Sequence, residues 1–106
     1  MTDLTVANTI LSQLGGMRML SMMTSAKEFV ASDNGVRFKI GKNAKKVSHV
    51  AVTLDASDTY TVKFMKWNAR SFEMTTLTEM SGIYCDMLMD LFEEKTGLFL
   101  TLSARN

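Results

Sequence analysis

The chain has no proline, one cysteine, one histidine and one tryptophan in 106 residues. Each shortage removes a class of explanation. With Cys85 alone there can be no internal disulfide, and without a Cys/His cluster the usual zinc frameworks fall away, so a reducing cytoplasm is the expected compartment. His49 has no second histidine or cysteine to work with, and it reads as a strand residue rather than a ligand or base. With no proline, repeat or low-complexity tract, nothing marks a linker. No apolar run approaches the roughly 18 residues that span a bilayer, and Asp3 stands where a basic leader would begin, so export and membrane insertion are not expected. The phosphate-cradling glycine loops and the H-E-x-x-H zinc motif are also missing. An enzyme is therefore the least supported class, and no cofactor or metal is expected.

What is present has the proportions of a folded protein: 46% hydrophobic and 22% charged residues. A chain of this length has apolar material for one core, so residues 1–106 are expected to form a single domain. The net charge of +1 hides a strong division along the chain. Residues 36–70 carry eight Lys or Arg against Asp55 and Asp58, a net +6, whereas residues 71–106 carry six acids against Lys95 and Arg105, a net −4.

Hydrophobic spacing sets out the expected elements. Val6, Ala7, Ile10, Leu11 and Leu14 follow the i, i+3, i+4 stripe of an amphipathic helix, with Asp3 as N-cap and Gly15-Gly16 as stop. The methionine-rich run that follows, Met17, Met19, Leu20, Met22 and Met23, suits a short strand or a helical turn, and a buried strand is the reading adopted. Asp33-Asn34-Gly35 is a turn signal, since Asn and Gly accept positive φ, and it divides Glu28-Phe29-Val30-Ala31-Ser32 from the alternating Val36-Arg37-Phe38-Lys39-Ile40. A second hairpin pairs residues 47–54 with 59–67 around Asp55-Ala56-Ser57-Asp58, whose acids are read as turn residues. Thr76 and Glu79 have capping-box spacing ahead of Met80, Ile83, Tyr84, Met87, Leu88, Leu91 and Phe92, so a long C-terminal helix is expected, closed at Gly97. Residues 98–102 suit a short last strand. The predicted fold is α+β: an N-terminal helix, an antiparallel sheet of about four strands in two hairpins, and a long amphipathic C-terminal helix, with helices covering one sheet face.

Strand alternation then separates the faces. Val36, Phe38, Ile40, Val50, Val52, Leu54, Tyr60, Val62 and Phe64 form the core side. Arg37, Lys39, His49, Ala51, Thr53, Thr61, Lys63, Met65 and Trp67 point outward, with Lys42, Lys45, Lys46, Lys66 and Arg70 in adjoining loops or strand ends. Cations beside an exposed aromatic are the chemistry of single-stranded nucleic-acid binding: Lys and Arg track phosphates while bases stack on the ring. Lys-rich sheet faces also arise simply to prevent aggregation. The acids of the last helix, Asp86, Asp90, Glu93 and Glu94, offer an opposite surface suited to a basic protein or a second copy of the chain. Of the ten methionines, those at 17, 19, 22, 23, 80 and 87 are read as core filler, Met65 and Met89 as outward, and Cys85 as a half-buried thiol.

Three segments, Ala7-Asn8-Thr9-Ile10-Leu11-Ser12-Gln13-Leu14-Gly15-Gly16, Thr53-Leu54-Asp55 with Asp58-Thr59-Tyr60-Thr61-Val62, and Gly82-Ile83-Tyr84, resemble a family of small bacteriophage and prophage proteins. These are turn, cap and core residues, so the resemblance transfers no active site. Where similar proteins have Thr-Gly before the first hairpin, this chain has Thr24-Ser25. The resemblance implies a mobile-element context in a bacterial host. That context favours a DNA-metabolism accessory, or an inhibitor of a host defence system acting on a host protein.

Overall fold

The computed structural model describes residues 5–43 and 45–98. Helix α1, Thr5–Gln13, buries Ala7, Ile10 and Leu11, the expected stripe, and its end is tied by the Gly16 amide donating to the Leu11 carbonyl at 2.8 Å. The N-cap assigned to Asp3 lies outside the described residues. Residues 17–24 are not a strand: helix α2 spans Met17–Thr24. Leu20 and Thr24, one turn apart, are both buried, and the Thr24 hydroxyl donates to the Leu20 carbonyl at 2.6 Å. Methionine forms helix readily, and one buried side per turn suffices here. Met22 is consequently 60% exposed instead of core filler. The helix ends at Ser25, which takes the left-handed conformation (φ 58°, ψ 31°) common at helix C-termini.

Five antiparallel strands follow in simple meander order: β1 Lys27–Ser32, β2 Gly35–Lys39, β3 His49–Leu54, β4 Tyr60–Asn68 and β5 Glu73–Ile83. The first two pairs after β1 are in regular register, with Phe38 opposite Val50 and Val50 opposite Phe64. The β1–β2 turn falls at Asp33-Asn34 as expected, but for another reason. Neither residue has positive φ; Gly35 is required because a Cβ there would run into the Val52 carbonyl oxygen of β3. In the β3–β4 loop Asp55 acts as a turn residue: its amide donates to the Thr59 carbonyl at 2.8 Å and its carboxylate accepts from the Thr61 hydroxyl at 2.7 Å.

The fifth strand corrects the sequence expectation. Thr76 and Glu79 do not cap a helix but pair with β4, opposite Met65 and Lys63. The C-terminal helical segment is shorter: a 3-10 turn at Cys85–Met87 and helix α3 at Leu88–Thr96, ending at Gly97 (φ 75°), whose amide donates to the Glu93 carbonyl. Threonines at 75, 76 and 78 suit a pleated strand, and the stripe Leu88, Leu91 and Phe92 that survives as helix is the part that reaches the core. Tyr84 and Met87, assigned to that stripe, are exposed, as is Cys85. Of the last strand expected from 98–102, residues 99–102 lie outside the described residues.

The helices pack on the face bearing Val36, Phe38, Val50, Val52, Val62 and Phe64, and this cluster also contains Ile10, Leu14, Leu20, Leu88 and Phe92. Phe38 sits between Phe29 and Phe92, with ring centroids 5.5 and 6.2 Å away. Burying each such ring contributes about 1.5–3 kcal/mol. Met89 packs partly against this core rather than facing outward. On the other face run the cross-strand rows Val30, Arg37, Ala51, Lys63, Glu79 and Lys27, Lys39, His49, Met65, Thr76. Among the described residues no helix is long and apolar enough to cross a membrane.

Candidate nucleic-acid interface

The connector between β2 and β3 shapes the site. Asn43 folds it on itself: its side-chain amide donates to the carbonyls of Gly41 and Val47 at 2.9 and 2.7 Å, and its carboxamide oxygen accepts from the Val47 amide at 3.0 Å. The Gly41 amide, donating to the Thr24 carbonyl at 2.8 Å, pins the connector to the end of α2. Ser48 joins it to β4. Its amide donates to the Met65 carbonyl at 2.8 Å, and its hydroxyl oxygen accepts from the Trp67 amide at 2.7 Å. Lys46 is held at φ 60°.

These bonds build a groove of about 540 Å³ at the end of the sheet. Buried Ile40 and Val47 contribute its apolar lining, with Trp67 beside them, and Lys39, Lys42, Lys46 and Lys66 are its charged residues. Among the described residues no acidic side chain lines it. The sequence-derived set is thus brought together in part. Lys45, next to Lys46, lines a different groove with Phe64, Leu77, Glu94 and Lys95. Arg37 and Lys63 stand on the open face in the row that ends at Glu79, separated from each other by Ala51. Arg70 lies in the exposed β4–β5 loop, its amide donating to Asn68 Oδ1 at 2.9 Å.

Trp67 is 42% exposed and meets Phe72 edge to face. Phe72 was absent from the sequence-derived set; its signal was an aromatic isolated in the polar stretch Asn68-Ala69-Arg70-Ser71-Phe72-Glu73. Asn43 and Ser48 were missed as well, because hydrogen bonds to distant backbone leave no periodic trace. Met65, expected outward, is buried between His49 and Thr76. His49 is half-buried, with Nδ1 2.9 Å from the Ser48 hydroxyl. Burial first, then the charges of Arg37 and Lys39, hold its imidazole below the ordinary 6.5, against an opposing pull from Glu28.

The acidic residues gather elsewhere. Asp90 and Glu94, one helical turn apart, edge an apolar groove of about 260 Å³ formed by Met80, Ile83, Met87 and Leu91. Asp86 is exposed in the 3-10 turn and Glu93 half-buried on α3. Cys85 and His49 form no pair: Cys85 follows β5 past Ile83, which pairs with Tyr60, whereas His49 pairs with Met65 at the opposite end of the β3–β4 ladder. Among the described residues no group of three His, Cys, Asp or Glu side chains is placed to hold a metal. An α+β fold with one open, cation-bearing sheet face is the class the architecture defines. No protein family, curated protein or solved structure gives a significant match to the chain.

Proposed function

We propose that the chain is a non-enzymatic accessory protein of a phage or other mobile element that binds single-stranded nucleic acid, DNA in the first instance, in the cytoplasm of the bacterial host. The observation that carries this reading is the convergence of Lys39, Lys42, Lys46, Lys66 and Trp67 on one groove with no acid among its described lining residues. Ammonium groups there neutralise successive phosphates, and the indole offers one base a stacking surface. Fluorescence anisotropy at low salt with labelled single-stranded DNA tests it. Binding that weakens with salt and is lost in the Lys66→Ala/Trp67→Ala double variant is expected; absence of affinity for any single strand removes the reading.

A second reading has its own observation. Met87, exposed, lines the apolar groove that Asp90 and Glu94 edge, Tyr84 is exposed near it in sequence, and β5 is an edge strand with exposed Met74 and Leu77 and no Lys, Arg or Pro to guard it. A protein partner, either a host defence factor or a second copy, would occupy this side. Charge reversal at Asp90 and Glu94 would then abolish association. A monomer in light scattering at high concentration, with no host protein retained, counts against it.

A further inference from the structure

The β4–β5 hairpin ends in an arrangement that the groove alone does not explain. Phe72 is 77% exposed, and its backbone is held at φ 54°, a conformation that bulky residues avoid. Asn68 fixes the turn, its Oδ1 accepting from the amides of Arg70 and Ser71 at 2.9 and 3.4 Å. Glycine would relieve both the strain and the apolar exposure, so the aromatic is kept here at a cost in stability. The ring lies 6.4 Å from the Trp67 indole, centroid to centroid, with the two planes inclined at 62°. The tip carries Lys66 and Arg70 against Glu73, and the four-lysine groove begins at Trp67.

We propose that Phe72 is a second stacking platform and that the tip selects unstacked, pyrimidine-rich single strands. The inference rests on the nucleic-acid reading above and specifies its substrate. Bases in a continuous stack lie parallel, so rings inclined at 62° cannot both lie face-on to one stack. One base rests on the indole, the next on Phe72, and the step between them opens. Opening a thymine step costs less than opening an adenine step, because pyrimidines stack weakly and leave the backbone flexible. Lys66 and Arg70 supply the charge that holds the phosphates flanking that step. A paired strand cannot splay in this way.

The experiment measures the binding of labelled oligothymidylate, oligoadenylate and a duplex of the same length to the full chain by anisotropy at low salt. Wild type should prefer oligothymidylate. Phe72→Ala, checked for folding by circular dichroism, should weaken oligothymidylate binding roughly 5- to 150-fold, the range expected for one lost stacking contact, and bring the two single strands to similar affinity. Phe72→Tyr should restore the preference, and Lys42→Ala should weaken both single strands alike. Equal wild-type affinities, or a preference untouched by Phe72→Ala, overturn the inference and leave the groove intact. If neither single strand binds, the underlying reading fails and the inference with it. Capture by phosphatidylserine vesicles instead, lost in Phe72→Ala, would overturn both and assign the tip to an anionic membrane surface.

Discussion

The Ser48 hydroxyl accepts the backbone amide of Trp67 at 2.7 Å, 19 residues away in sequence. This bond helps to join the basic connector to the aromatic strand, beside the Ser48 amide that donates to the Met65 carbonyl at 2.8 Å. Ser48→Ala leaves the Trp67 amide without that partner. The expected loss is about 1 kcal/mol, or about 4–8 °C in Tm, read by thermal denaturation. Affinity for single-stranded DNA should fall with it, and Ser48→Thr, which keeps the hydroxyl, should recover most of both.

Adjacent lysines should behave differently. Lys46 lines the groove with Trp67, whereas Lys45 lines the other groove beside Glu94 and Lys95. On a single strand each neutralised phosphate contributes about 0.7 to the slope of log affinity against log salt. Lys46→Ala should lower both the affinity and that slope by about one phosphate's worth, and Lys45→Ala should change neither. Equal effects of the two substitutions would point to diffuse surface charge rather than a built groove.

Ser25 offers a test of backbone strain. Its left-handed conformation disfavours any residue with a Cβ by about 1–2 kcal/mol, part of which glycine returns through its greater freedom in the unfolded chain. Ser25→Gly should therefore stabilise the fold by about 0.5–1 kcal/mol, seen as a higher denaturation midpoint in urea with an unchanged slope.

The sequence was most legible where one periodicity ran without interruption. Val36-Arg37-Phe38-Lys39-Ile40 alternates with its faces, so the hairpins and the core side of β2, β3 and β4 could be read directly. In β5 the period of two is broken twice. Leu77 is an extra residue between the Phe64–Thr78 and Met65–Thr76 pairs, and a second shift falls at Ser81 and Gly82. What remains of the pattern fits a helical stripe, which is why strand and helix were confused there. The site follows the same logic. Each lysine was visible, but the assignment of Lys46 to one groove and Lys45 to another depends on how Asn43 folds the connector, and side-chain to backbone bonds carry no periodic signature.

His49 makes stability depend on pH in a definite direction. Its imidazole has the ordinary value near 6.5 in the unfolded chain and a lower one in the fold, because burial and then the Arg37 and Lys39 charges disfavour the cation. As pH falls through 6.5 the unfolded state takes up its proton first, so stability present at pH 7.5 is lost progressively down to the native value, below which this group contributes no further change. Urea midpoints measured from pH 7.5 to 5.5 should decline in wild type and be flatter in His49→Gln, a window above the range where carboxylates dominate. Removing a repelling neighbour acts the same way: Lys39→Gln should move the His49 titration, followed by NMR of the imidazole, towards 6.5. Since Lys39 also lines the basic groove, a phosphate bound there would offset its charge, and saturating oligothymidylate should raise the same titration in wild type. An unshifted His49 on binding would place the phosphates away from Lys39.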